Sequence, residues 1–247
     1  EWTGNGVMAA GLRTVAGIQG GKMVTSEWKL TEGKNIGKVN ETSPSEQAEK
    51  EAIAKWGKKE EKEYFEDIEK VDSYDKFKPM LAHDYTKRPQ DFGWSQPKLD
   101  GIRCIARKDG LYTRAGKAIT TCDHISEDLE FFFEENPDVI LDGELYNHEL
   151  KADFNKITSL VRKVKPTEEE AQECSELVQY WIYDMYDPMD PTEIFSFRIQ
   201  FLNKEIMTLY KALEVVETAY CNNQNLLDRK YSDYTEAGYE GQMVRND

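Results

Sequence analysis

Between Gln96 and Lys117 the chain reads QPKLDGIRCIARKDGLYTRAGK, which gathers Lys98, Asp100, Gly101 and Arg103 within six residues although the net charge of the whole is −15. A lysine attacks only as the neutral amine, and a free lysine, with a pKa near about 10.4, is only about 0.1% neutral at pH 7.4. Nucleophilic chemistry at Lys98 therefore needs positive charge close by or desolvation. Arg103, Arg114 and a bound metal could supply the charge. Pro97 stiffens the chain before the lysine, and Gly101 permits a bend. The apolar Ile102 and Ile105 suggest an extended segment, so Lys98, Asp100 and Arg103 would surround one pocket at a strand-turn-strand junction. The six residues alone also fit a surface hairpin with incidental charges.

Further fragments follow in a definite order: YTRAGK at Tyr112–Lys117, DGEL at Asp142–Leu145, WIYD at Trp181–Asp184 and EGQMVR at Glu240–Arg245, with KPMLA at Lys78–Ala82 leading in. Together the series resembles the covalent nucleotidyltransferases, and most closely the ATP-dependent DNA ligases, from about Phe77 onward. The resemblance implies a function: sealing nicks in duplex DNA, in replication or repair, through a lysyl-AMP intermediate and transfer of AMP to the 5′-phosphate. It implies that Lys98 attacks the α-phosphorus of ATP and releases pyrophosphate, with Asp100 orienting the site. Arg103 would hold the ribose or a phosphate, Arg114 would face the 5′-phosphate of the nick, and Glu144 would accept a hydrogen bond from the ribose. Tyr183 would stack on adenine and Gln96 would sit where its edge is read. Glu240, with Glu144 beside it, would bind a divalent metal, Mg2+. RNA ligase and capping-type guanylyltransferase share this lysine chemistry. A protein of another class would bind nicks or DNA ends without sealing them.

Each residue has a plainer reading: Glu144 as an acid ending a strand, Tyr183 as core filling, Glu240 as an exposed turn. His83, His124 and His148 pair with no nucleophile and read as surface or hydrogen-bonded side chains. In the resembling family a lysine-bearing segment and an oligonucleotide-binding barrel follow the EGQMVR position, two residues before Asp247. A chain without them is expected to bind adenine nucleotide but to react slowly with ATP.

The elements that must position these residues divide at about residue 70. Residues 1–70 carry glycines between short β-branched runs, including KMVTSEWKLTEG, and read as a small antiparallel sheet followed by a helix from Pro44 to about Lys62. Ser43 or Ser45 caps that helix, and Ala48, Ala52 and Trp56 recur along it. This layout resembles the WGR-type nucleic-acid-binding module, while Trp28 and Trp56 also suit the core of an ordinary small domain. Residues 71–247 read as mixed α and β, and the resemblance implies an α+β adenylation domain built on antiparallel sheets. Strands are expected at 101–107, 110–114, 139–141 and 178–183, and helices at 126–135, 167–175 and 196–219. Neither GxGxxG nor GxxxxGK[ST] occurs, which disfavours a dinucleotide fold or a P-loop.

Composition sets the outer bounds. Hydrophobic residues make up 39% of the 247, enough for a core. No run of about 18 apolar residues is present and the start lacks the order of a signal peptide, so a soluble intracellular protein, not secreted and without a membrane partner, is expected. A monomer, cytoplasmic or nucleoid-associated, is the accompanying expectation. The four cysteines, Cys104, Cys122, Cys174 and Cys221, form no CxxC pair and read as reduced. The charge is uneven: Pro166–Asp247 holds 17 acidic and 6 basic residues, whereas Glu1–Asn40 holds 5 basic and 3 acidic ones. A nicked-DNA surface would therefore belong to the first two-thirds.

Overall fold

The computed structural model describes residues 10–18, 20–60, 79–206 and 210–247, which belong to two units, Glu1–Asp75 and Lys76–Asp247. In the first, β1 (Ala10–Leu12) pairs antiparallel with β4 (Lys29–Thr31), and β2 (Val15–Gly17) with β3 (Met23–Thr25). The expected sheet is thus one hairpin whose ladder is broken, because the Ser26 hydroxyl takes the Thr14 N–H at 2.9 Å where the register slips. Helix α1 (Pro44–Glu60) begins at the proline, and Ser43 caps it: its hydroxyl accepts from Glu46 N, and its own N–H donates to the Glu46 carboxylate. Glu51 then ties α1 to the hairpin by accepting from Lys29 at 2.8 Å and Lys34 at 3.2 Å. Trp28 and Trp56 are 58% and 52% exposed, so the reading of both as core does not hold. The boundary near residue 70 and the expected helix end at Lys62 lie outside the described residues.

The second unit runs β5 (Gly93–Lys98), β6 (Ile102–Arg107), β7 (Gly110–Tyr112), β8 (Ala118–Ile119), α2 (Asp123–Asp128), α3 (Glu130–Glu135), β9 (Ile140–Tyr146), a single 3-10 turn (His148–Leu150), α4 (Phe154–Val161), α5 (Glu168–Leu177), β10 (Gln179–Tyr186), α6 (Phe195–Glu205), β11 (Leu213–Val215), β12 (Ala219–Cys221), α7 (Gln224–Ala237) and β13 (Gly241–Arg245). A six-stranded sheet has the order β11-β10-β9-β6-β7-β8, and a three-stranded one the order β12-β5-β13. Every pairing is antiparallel except β10 with β11, which gives the expected α+β class. The core gathers Leu141 and Leu145 of β9, Tyr180 and Ile182 of β10, Leu129, Phe133, Ile157 and Leu202. In it the Tyr180 hydroxyl donates to Cys104 O at 3.2 Å, so the buried phenol is satisfied. All four cysteines are buried free thiols.

Two helical expectations are corrected. Within the stretch 196–219, α6 ends at Glu205; Leu213 and Val216 keep a spacing that suits a helix, but Tyr180 N donates to Ala212 O and Val216 N to Ile182 O, and this pairing with β10 makes β11. The stretch 126–135 divides at Leu129 into α2 and α3. Helices α4 and α7 were not expected. Asp153 caps the first through Lys156 N and Asn223 the second through Leu226 N.

Candidate active site

β5 and β6 follow one another in sequence but belong to different sheets, so Lys98–Gly101 is a passage between sheets and not the turn of a hairpin. Lys98 ends β5 opposite Gly241 at the start of β13. Glu240, just before β13, donates its N–H to Lys98 O at 3.1 Å, and its carboxylate ion-pairs with the Lys98 ammonium. The two side chains remain 41% and 46% exposed, open to an incoming ligand. Gly101 is fixed by close approach: a Cβ there would stand 2.4 Å from Leu145 O and 2.7 Å from Glu144 Cγ.

β9 supplies Glu144, in register with Arg103 of β6 and Trp181 of β10. Burial pushes the Glu144 carboxyl up to about 8; Arg103 opposes the rise, Asp142 adds to it, and the Gly101 N–H and Lys98 oppose it further. Arg103 donates from Nε and Nη2 to Asp142 at 2.9 and 2.5 Å and from Nη1 to Met80 O at 2.8 Å. Burial lowers its pKa and the Asp142 pair more than offsets that, leaving it raised. Three of its five N–H groups are thereby occupied.

Tyr183 is the extra residue of a β-bulge, since Ile182 faces Gly143 while Asp184 faces Asp142. The guanidinium carbons of Arg103 and Arg245 lie 5.8 and 5.3 Å from its ring centre, and burial raises its phenol well above the ordinary tyrosine value. Gln96 is 1% exposed. Its amide donates to Tyr183 O at 3.1 Å and Thr218 Oγ1 at 2.9 Å, and accepts from Arg245 Nε at 2.9 Å, joining the nucleophile's strand to the bulge. Behind it Asp184 binds both Arg198 (2.8 Å) and Arg245 (2.9 Å).

Two expected residues stand further out. Asp100 is exposed, near enough to Tyr146 to help raise that phenol, a shift caused mainly by burial. Arg114, beyond β7, donates to Pro79 O at 3.4 Å, next to the Met80 carbonyl that Arg103 takes. Lys78 of the leading KPMLA fragment lies outside the described residues. Of the histidines, His83 meets Arg88 at 2.9 Å and His124 meets Val178 O at 2.9 Å. Among the described residues no three His, Cys, Asp or Glu side chains converge as a metal cage.

The order of these parts along the chain matches a family model described as the ATP dependent DNA ligase domain, over residues 79–247. The chain belongs to the ATP-dependent DNA ligase family. The DNA ligase of African swine fever virus isolate Tick/Malawi/Lil 20-1/1983 is 25% identical over 251 residues, which covers 92% of this chain and 54% of that protein. That of isolate Pig/Kenya/KEN-50/1950 is 29% identical over 142 residues, 53% of this chain and 33% of the relative. The chain spans about half the length of the curated relatives it matches over most of its own length. Among solved structures, a Lig E DNA ligase aligns with TM-score 0.53 at 23% identity over 69% of this chain and 62% of its own, and a Chlorella virus DNA ligase-adenylate with TM-score 0.51 at 20% over 69% and 61%. These two show the fold. Within this ligase domain Asp142, Asp184, Arg198 and Arg245 were not singled out from the sequence. The signal was present, because a charge isolated in an apolar strand, as in VILDGEL or WIYDMY, needs a buried partner.

Proposed function

We propose that this ligase domain carries the adenylation step of nick sealing in duplex DNA. The Lys98 amine, having released its proton, attacks the α-phosphorus of ATP; a P–N bond forms, pyrophosphate leaves, and the AMP then passes to the 5′-phosphate of the nick. The observation that carries this reading is the Lys98–Glu240 pair at the passage between the sheets, with Gly101 bringing Glu144 alongside. Tyr183 offers a ring for adenine. Gln96 keeps one lone pair on Oε1 that suits adenine's amino group, and the two unused N–H groups of Arg103 suit ribose or phosphate oxygens. Glu144 would hold the ribose hydroxyl, Asp100 would orient the lysine's surroundings, and Arg114 would meet the 5′-phosphate.

The donor set also fits magnesium, which favours one or two carboxylates completed by phosphate oxygens. Glu240 and Glu144 would hold it, with the ion displacing the proton that burial keeps on Glu144 and neutralising the charge that a triphosphate brings against the two side chains. The test is intact-mass analysis after incubation with ATP or GTP, with and without magnesium, followed by peptide mapping. AMP on Lys98, gained only with ATP and a divalent ion, is the expected result. GMP in its place would move the chain to capping chemistry, no adduct would leave a binding protein, and labelling without a divalent ion would remove Glu240 from its role.

A further inference from the structure

Beyond the residues that would touch nucleotide, four side chains on other elements converge on the short segment that delivers Glu240. Tyr146 lies two residues past Glu144 on the same face of β9, and its hydroxyl meets His148 Nδ1 at 2.9 Å. The His148 ring stacks on Tyr239, with centres 4.2 Å apart and planes 28° from parallel. Trp181 stands edge-on to Tyr146 at 5.3 Å and closes the cluster from β10. Lys151, just after the 3-10 turn, donates to Ala237 O at 2.6 Å and so caps the C-terminus of α7. Its side chain crosses Gly238, where a Cβ would come within 2.9 Å of Lys151 Cε, and Gly238 takes the left-handed φ of +92° that ends the helix.

Tyr239 is therefore held on one face by His148 and by the edge of Tyr234 at 6.2 Å, while Lys151 fixes the carbonyl two residues before it. Glu240 comes next, with its N–H already on Lys98 O. A segment gripped at Ala237 and Tyr239 and hydrogen-bonded at Glu240 has little freedom left to turn the Glu240 carboxylate away from the lysine. The grip comes from the end of β9, the strand that carries Glu144, and from the turn that follows it: Tyr146 closes the strand, and His148 and Lys151 come directly after.

We infer that Tyr146, His148 and Lys151 form a clasp of positioning residues that seats Ala237–Glu240 and thereby holds Glu240 against Lys98. The ring stack is the central contact: burial and then Lys151 lower the His148 pKa, so the imidazole is neutral at physiological pH and suits an aromatic face beside an ammonium. The groups facing it are the Tyr146 and Tyr239 phenols, the Trp181 ring, the Lys151 ammonium and the Ala237 carbonyl. The consequence for catalysis rests on the adenylation reading above; the geometric claim does not.

The test measures how fast N-succinimidyl acetate acetylates Lys98, by peptide mass, with exposed Lys108 as the internal standard. Glu240→Gln should raise Lys98 reactivity several-fold by removing the ion pair. His148→Ala should raise it by at least half as much, and His148→Phe, which keeps a ring on Tyr239, should stay near the parent value. Should His148→Ala fail to fold by circular dichroism, Lys151→Met takes its place with an increase expected. Unchanged Lys98 reactivity in the clasp variant beside a raised value in Glu240→Gln overturns the clasp, as does a Glu240→Gln that changes nothing. If ATP labels the parent chain, His148→Ala should lower the labelling rate about tenfold at an unchanged half-saturating ATP concentration. A parent chain that takes no label would count against the adenylation reading and leave the acetylation result standing.

Discussion

Lys98 and Glu240 form an ion pair so open to water that it contributes only about 0–1 kcal/mol to stability. Its value is geometric, because it keeps the amine where a phosphate would arrive. Lys98→Arg should retain the charge and the fold yet take no nucleotide, since a guanidinium is not deprotonated at working pH. Full labelling of that variant, or AMP mapped to another lysine, would falsify the assignment. Glu144 supports a prediction in pH. Its folded value of about 8 stands above the ordinary 4.5, so between the two the folded chain holds a proton that the unfolded chain has released. That stabilising contribution is complete at the acid end and is lost as pH rises toward 8. Glu144→Gln removes the dependence, so its melting temperature relative to the parent should climb by a few degrees between pH 5 and pH 8.5. Melts whose difference is flat across that range would show that the carboxyl is less buried than its surroundings imply.

Between strands, the arrangement depends on closeness at Gly101 and on buried charge behind the bulge. Gly101→Ala would drive a methyl against Leu145 O, so β6 or β9 must shift; a loss of about 1–3 kcal/mol in urea unfolding is expected. Asp184→Ala would strand two guanidiniums whose side chains are only 17% and 16% exposed, and should cost about 3–5 kcal/mol. A midpoint within error of the parent for either variant would show that the strands relax freely there. The sequence showed the cores of β6, β9 and β10 because β-branched and aromatic residues fill them. It could not show β11, because Leu213 and Val216, the latter just past the strand's end, suit a helix until β10 is present to pair with this stretch. The bulge at Tyr183 was likewise hidden, as it exists only in the register between β9 and β10. Lys98, Glu144 and Glu240 were singled out from the sequence through the order of the fragments, whereas Asp142, Asp184 and Arg245, which brace Arg103, Arg198 and Gln96, lay in the same fragments without an evident role.

Across the chain, charge is spread unevenly: Glu1–Asn40 holds 5 basic and 3 acidic residues, whereas Pro166–Asp247 holds 6 basic and 17 acidic ones. That first stretch is therefore a candidate for a phosphate surface. Removing Glu1–Asp75 should weaken binding to nicked duplex at low salt, and the gap should narrow as salt rises. Fluorescence anisotropy over a salt series measures this; identical curves for the two proteins would assign the unit to another task. In the second unit no helix among the described residues is long and apolar enough to cross a membrane. The strand that bears the proposed nucleophile has another property. Among the described residues β5 pairs with β12 and β13, both far downstream, and not with its sequence neighbour β6. During synthesis it must wait, edges bare, until the ribosome has delivered Ala219–Arg245. Such pairing of high contact order is slow to close and leaves an intermediate exposed to aggregation. Refolding of the second unit should therefore show the six-stranded sheet gaining hydrogen-exchange protection before Lys98 and Glu240 meet, so that the reactive centre is the last part of the molecule to be born.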